Sequence, residues 1–233
     1  MGYDAEPLQR LQLLLGSEAV NKIKNSSVAV IGLGGVGSHA VEALARSGIH
    51  HITIVDPDRV EMSNMNRQLP ALTSTINRFK TDVIAGRLLD INPGINIKAF
   101  TCSYEPLTSE QILDLKTDYV VDAIDSIPDK VHLIKTCLEK EIPIVSSMGM
   151  ANRTNPMLLK IGDIKETTVC PVAKKVRKEL RSCGIETGLK VVFSTETPVK
   201  TSDKNPGSLG SIIFLPGIAG YLLANLIIEM IIT

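Results

Sequence analysis

Tryptophan is absent from the 233 residues, and phenylalanine and tyrosine number only four each. That leaves little from which to build a stacking platform for single-stranded nucleic acid. The chain also lacks net charge, with 25 Lys and Arg against 25 Asp and Glu. No overall field asks for nucleic acid or a membrane surface, so any such contact must come from a local patch. No two of Cys102, Cys137, Cys170 and Cys183 stand in C-x-x-C spacing, and a structural zinc site cannot be assembled from pairs so scattered. No apolar N-terminal run with a cleavage site is read, and the expectation is a cytoplasmic protein with reduced thiols. Repeats, low-complexity tracts and a clear linker are missing as well. The length suits one α/β domain over 1–233 with a sizeable core.

What is present alternates. Residues 8–25, "LQRLQLLLGSEAVNKIKN", read as helix interrupted at Gly16, with Leu11, Leu14 and Leu15 as an apolar stripe. "SVAVIGLG" is an apolar strand entering glycines, and "SHAVEALARSGI" is a helix capped near Gly48. "HITIVD", "DYVVDAID" (118–125), "IPIVSSM" (142–148) and "LKVVFSTETPVK" (189–200) read as further strands. "KVHLIKTCLEKE" (130–141) reads as a helix, and 165–186 holds a strongly basic one. Alternation of this kind predicts a Rossmann-like, doubly wound, mainly parallel sheet with helices on both faces. Residues 8–150 form the expected nucleotide-binding core, and 151–233 the expected substrate and dimer region. The stretch 201–211, "TSDKNPGSLGS", reads as loop.

Gly32, Gly34, Gly35 and Gly37 fit G-x-G-x-x-G between a strand and a helix. Glycines there let the backbone approach phosphate, and the helix N-terminus supplies free N–H groups. Asp56 follows Gly37 by 19 residues, at the end of the next strand, where a carboxylate can hold ribose hydroxyls. This pattern does not separate NAD from ATP. The following segment, "DPDRVEMSNMNRQLP" (56–70), does better. Hydride transfer has no need of cations beside the phosphates. Attack of a carboxylate on an α-phosphate must neutralise charge developing on pyrophosphate. Arg67 and Lys80 are suitable cations, and Asn64 and Gln68 are polar supports. Asp125, on the carboxyl edge of the same sheet, is placed to hold Mg²⁺. The bland alternative makes Arg67 and Lys80 surface charges and Asp125 a helix cap.

"GLGGVG", "DPDRVEMSNMNRQ", "RFKTDV" and "VDAIDS" resemble the ThiF/MoeB/HesA superfamily of ubiquitin-activating-type adenylating enzymes. The resemblance covers about 8–230. It implies ATP and Mg²⁺ as cofactors. Gly35 and Asp56 would contact the nucleoside part, and Asn64, Arg67, Gln68 and Lys80 the phosphates. Asp125 would serve the metal. Gly32, Gly34, Gly37, Asp58 and Ser126 complete the implied nucleotide-binding set. "LQRLQLLLG" is similar to the family's N-terminal helix, and Arg10, by its spacing to Gly16, would act in trans on the partner subunit's triphosphate in a homodimer. The branches that activate sulfur-carrier proteins commonly carry two C-x-x-C pairs, which this chain lacks. "KETTVCPVAKKVRKELRSCGI", "LKVVFSTETP" and "GSLGSIIFLP" instead resemble the tRNA threonylcarbamoyladenosine dehydratase branch. That resemblance implies ATP-dependent activation of the threonylcarbamoyl carboxylate on tRNA, followed by ring closure within the same nucleoside.

Intramolecular closure needs no enzyme thioester, so Cys170 is expected to be structural or substrate-contacting. The basic run Lys174, Lys175, Arg177, Lys178 and Arg181 is either a tRNA backbone contact or a solvated helix face. DNA is not expected as a partner. A sulfur-transfer or cysteine desulfurase-type protein partner stays open. The apolar segment 212–232 has the length of a membrane span, but Pro216, Gly217, Asn225 and Glu229 and the lack of flanking Lys and Arg favour a buried helix. Peripheral membrane association is the open alternative. The rival activities are adenylation of a ubiquitin-like or sulfur-carrier protein and, more distantly, NAD-dependent oxidoreduction.

Overall fold

The computed structural model describes residues 7–114, 116–199 and 209–233. Most of the expected 201–211 loop lies outside them. In chain order the elements are α1 (Gln9–Leu15), α2 (Ser17–Asn25), β1 (Ser27–Ile31), α3 (Gly37–Arg46), β2 (His51–Val55), α4 (Lys80–Ile91), β3 (Asn96–Phe100) and α5 (Ser109–Ile112). They continue with β4 (Tyr119–Asp122), α6 (Ile127–Glu139), β5 (Ile144–Ser147), β6 (Leu159–Asp163), α7 (Pro171–Ser182), β7 (Lys190–Ser194) and α8 (Phe214–Ile232).

The strands form one seven-stranded sheet in the order β3-β2-β1-β4-β5-β7-β6. Neighbours run parallel except β6, which closes the edge antiparallel to β7. Central strands of a parallel sheet are covered on both faces and therefore read as continuous apolar runs. Val28, Ala29, Val30 and Ile31 of β1 are all buried accordingly. The chain leaves β1 towards β2 on one side and returns to pair β4 on the other. The order reverses between β1 and β4, and this is where a doubly wound sheet opens a crevice at its carboxyl edge.

Two expectations need correction, and four elements were not read from the sequence. β4 ends at Asp122, three residues short of Asp125, because the Asp122 carboxylate accepts the Ile124 N–H at 3.1 Å and turns the chain out of the sheet. Asp125 therefore sits on the loop before α6. β7 stops at Ser194 rather than running to 200. α4, β3, α5 and β6 carry too weak a periodicity to have been read. β3 in particular is an edge strand whose residues are all at least partly exposed.

α8 is long and apolar enough to cross a membrane by length and composition, yet 56% of its most apolar window is buried inside the fold. Leu215, Ala219, Leu223, Ala224, Leu226, Ile227 and Ile231 enter the same apolar cluster as β1, α3 and α4. A buried leucine or isoleucine of this kind stabilises by about 1.5–3 kcal/mol relative to exposure. Contact with α3 is close enough to demand glycine. A methyl group at Gly220 would lie 2.4 Å from the Val36 carbonyl oxygen and 2.9 Å from the Ala40 nitrogen.

Gly220→Val should accordingly cost about 3 kcal/mol, since backbone on the facing helix cannot yield. Gly86→Ala is the control: nothing lies within 4 Å of a methyl there, in the middle of α4, and it should stabilise by about 0.5–1 kcal/mol. Urea denaturation of both variants measures the pair.

Candidate active site

A cleft of about 680 Å³ opens at the carboxyl edge of the sheet, over the point where the strand order reverses. Its floor is the turn from β1 into α3. Gly32 takes φ +91°, and a side chain there would meet the Ala123 carbonyl oxygen at 2.7 Å. At Gly37 a methyl would lie 1.7 Å from the Gly32 carbonyl oxygen. Gly34 and Gly35 face the cleft, whereas Gly37 is buried beneath the turn at the first position of α3.

At the end of β2, Asp56 is 5% exposed. Its Oδ2 accepts the Leu33 N–H at 2.6 Å and its Oδ1 the Asp58 N–H at 2.9 Å. Lys80, at the first turn of α4, is 4% exposed. Its ammonium donates to Asp58 Oδ2 at 2.7 Å and stands 3.7 Å from Asp56 Oδ1. Burial pushes the Asp56 carboxyl above the usual carboxylate range, against the opposing pull of Lys80 and of the two backbone donors. Asp58 is exposed and can swing away, which would release the Lys80 ammonium to an arriving phosphate.

The segment after Asp58 folds into a short turn, 62–64, closed by the Asn64 side chain, which accepts the Glu61 N–H at 3.0 Å. Asn64 therefore braces this segment from inside the cleft wall. Arg67 uses Nη1 on the Ser63 carbonyl at 2.7 Å and on Asn66 Oδ1 at 2.9 Å. A guanidinium has five N–H donors, so most of its fork is left for a ligand. Gln68 lines the cleft with a buried Oε1 that has no hydrogen-bond partner among the described residues.

Opposite, the loop after β4 presents Asp125, Ser126 and Asp129 to the cleft. Among the described residues no group of three or more His, Cys, Asp or Glu is gathered, so no resident metal cage is built. One or two carboxylates beside a triphosphate are what Mg²⁺ commonly uses, and Asp125 with Asp129 fits that pattern. Beyond Asp56, Cys102, Ser103 and Tyr104 after β3 wall the cleft. Burial pushes the Tyr104 hydroxyl up to about 12, and it pairs with His132 Nδ1 at 3.2 Å.

Beneath the Asp125 loop lies a pair that the motif reading passed over. Lys130 is 1% exposed and Asp122 is fully buried. The Lys130 ammonium donates to Asp122 Oδ2 at 2.7 Å and to the Ser147 carbonyl at 3.1 Å, and the Ser146 hydroxyl donates to Asp122 Oδ2 at 2.6 Å. Asp122 also holds the Ile124 N–H, so the pair shapes the loop that carries Asp125. The acids and the lysine are visible in "VDAIDSIPDK", but a single sequence does not say which of the three acids is buried.

Arg10 does not line its own chain's cleft. It is exposed on α1, beside Leu13 and Leu14, which are 82% and 78% exposed. On α7, Lys174, Lys175, Lys178 and Arg181 are exposed and join no ion pair among the described residues. Arg177 is different: it turns inward and donates to the carbonyl and hydroxyl of Thr167. Cys170 is 2% exposed at the start of α7, with its Sγ 3.9 Å from the Gly149 carbonyl.

A family model described as ThiF family matches residues 8–233. The chain belongs to the ThiF family. It is 49% identical over 190 residues to the tRNA threonylcarbamoyladenosine dehydratase of Bacillus subtilis, covering 82% of this chain and 75% of that protein. The solved Escherichia coli tRNA threonylcarbamoyladenosine dehydratase in complex with ATP superposes with a TM-score of 0.89 at 32% identity, covering 97% of this chain and 93% of that one. Its complex with AMP gives 0.90, covering 94% and 91%. The family match thus takes in β6, β7 and α8 as well as the glycine-turn half of the chain.

Removing one partner of a buried ion pair strands the other charge. Lys130→Met should cost about 3–5 kcal/mol. Adding Asp122→Asn to it should recover a good part of that loss, as thermal unfolding of the single and double variants would report.

Proposed function

We infer that this protein is an ATP-dependent tRNA threonylcarbamoyladenosine dehydratase. The observation that carries the reading is the cleft, where Arg67, Lys80 and Asp125 converge around the glycine turn on a chain 49% identical to an enzyme of that name. In this reading the threonylcarbamoyl carboxylate attacks the α-phosphorus of ATP. The bond to the bridging oxygen breaks, pyrophosphate leaves, and a mixed anhydride with AMP forms. A nucleophilic atom of the same modified group then attacks the activated carbonyl carbon. AMP leaves, a proton is released, and the ring closes. The oxygen lost from the carboxylate departs with AMP, so the net change in the nucleoside is loss of water.

Each residue has a task in that sequence. Asp56 and Gly35 receive the nucleoside part, and the glycine turn admits the phosphates at the N-terminus of α3. Arg67 and Lys80 face the charge that grows on the departing pyrophosphate, where fixed cations in a partly desolvated cleft act most strongly. Asp125, with Asp129 beside it, would hold Mg²⁺, which supplies further neutralisation of the triphosphate. Ring closure gains from proximity, because nucleophile and electrophile belong to one group. Cys170, buried at the start of α7, is assigned no covalent step. The exposed Lys174, Lys175, Lys178 and Arg181 offer phosphate contacts to tRNA, and Arg177 holds the segment before α7 in place. The protein acts in the cytoplasm as a two-fold dimer, with Leu13 and Leu14 covered by the partner and Arg10 reaching the partner's triphosphate.

Mass spectrometry of nucleosides, after incubation with ATP and tRNA bearing the open threonylcarbamoyl group, tests the activity. The cyclic product should appear with wild type and fall by at least about a hundredfold with Asp125→Ala, an exposed change that should leave folding intact. Product formation without ATP, or none with it, overturns the reading.

Dimeric sharing of the site is tested by mixing. Arg10→Ala and Asp125→Ala should each be nearly inactive alone. After subunit exchange half the dimers are mixed, and one of their two sites has both residues. Roughly a quarter of wild-type activity should return if sites act independently. Arg10 acting within its own chain gives no recovery.

A further inference from the structure

His39 has no part in the nucleotide motif, yet it is buried against it. It lies two residues into α3 from Gly37 and is 4% exposed. Its ring is clasped by α8: a methyl at Gly217 would lie 3.4 Å from His39 Cε1, and Tyr221 meets the ring edge-on at a centroid distance of 5.7 Å and 87°. Nε2 stands 3.3 Å from the Arg67 carbonyl oxygen. A carbonyl only accepts, so Nε2 carries the proton and donates. Nδ1 is buried with no hydrogen-bond partner among the described residues, as suits the neutral tautomer. Burial pushes the imidazole below its usual value, which keeps it neutral at physiological pH, with Glu42 on α3 and Arg87 on α4 acting in opposite senses.

The Arg67 carbonyl lies where the segment 64–68 closes, since the N–H groups of Arg67 and Gln68 both bond the Asn64 carbonyl, at 3.1 and 3.0 Å. The Arg67 stem also touches the glycine turn. A methyl at Gly35 would lie 3.6 Å from Arg67 Cγ and 3.1 Å from Pro216 Cβ, one residue before Gly217 on α8. Glycine turn, Arg67 and α8 therefore meet at one point, and the His39 N–H makes a directional bond across it, next to the one from the Leu69 N–H to the Ser38 hydroxyl at 3.3 Å.

We propose that His39 is a positioning residue, whose Nε2–H fixes the Arg67 peptide and thereby aims Arg67 and Gln68 at the phosphates bound over the glycine turn. The proposal rests on the reading of Arg67 as a phosphate contact. It assigns to α8, otherwise a core helix, the task of holding that imidazole in one orientation.

The test is equilibrium binding of ATP and of adenosine to the full chain, with the thermal midpoint measured without nucleotide. His39→Leu removes the donor at similar volume, and His39→Gln retains an N–H of similar reach. His39→Leu should weaken ATP about tenfold, from loss of one hydrogen bond and the slack it introduces, while adenosine binding changes less than about twofold. His39→Gln should restore most of the ATP affinity. In an Arg67→Ala background, His39→Leu should weaken ATP far less than it does alone. Equal losses for ATP and adenosine, equal behaviour of the Leu and Gln variants, or full additivity with Arg67→Ala would reduce His39 to packing and overturn the proposal. ATP affinity unchanged in Arg67→Ala overturns the phosphate reading and this inference with it. A weakened Arg67→Ala beside an unaffected His39→Leu overturns this inference alone.

Discussion

The turn between β1 and α3 closes on its own backbone, with no room for a side-chain carbon between Gly37 and the Gly32 carbonyl, or between Gly32 and Ala123. That closure brings the N-terminus of α3 to the edge of the sheet with its N–H groups directed outward. It also brings the loop after β4 alongside, because Gly32 can pack on Ala123 only if β1 and β4 are neighbours. The placement of Asp125 opposite Arg67 and Lys80 follows from this contact. A cavity lining drawn from many separate stretches of chain is thus organised by the absence of two Cβ atoms.

Two buried polar devices support it from below. Asp122 and Lys130 form an ion pair that also satisfies Ser146, Ser147 and the Ile124 N–H. Such a pair is weak evidence for stability, because desolvation offsets most of its attraction. Its geometric consequence is firmer: it ends β4, starts α6 and leaves Asp125 projecting from the short loop between them. Asp56 and Lys80 do the same on the other wall, at the ends of β2 and the start of α4. In both cases an acid at a strand end stands against a lysine from the next helix, hydrogen-bonded to it at Asp122 and 3.7 Å from it at Asp56, where the exposed Asp58 takes the hydrogen bond instead.

α8 links the core to this edge. Its apolar length is shared between the sheet and α3, and its first turns reach the glycine loop through Pro216 and the His39 ring through Gly217. A helix that is apolar on all sides can be a membrane span or a buried core element. Here Gly217 and Gly220 decide, since each admits part of α3 where a side chain would hold the two helices apart.

The residues themselves determined the strand-glycine-helix opening, the alternation that makes a parallel sheet, and the candidate residues at its carboxyl edge, because those signals are local: apolar runs, glycines and acids at fixed spacing. Asp56 could be named from its spacing, and Arg67, Lys80 and Asp125 from residue type and the family resemblance; the cleft gathers all four. The tertiary structure alone decided that Gly37 has no room for a side chain and that Arg177 turns inward to Thr167. It also decided that Asp122 rather than Asp125 ends β4, and that His39 meets Arg67. Each of these depends on burial or on a partner distant in the chain. The edge strands β3 and β6 were illegible for the same reason, since half-exposed residues carry no periodicity and only pairing with a neighbour makes them strands.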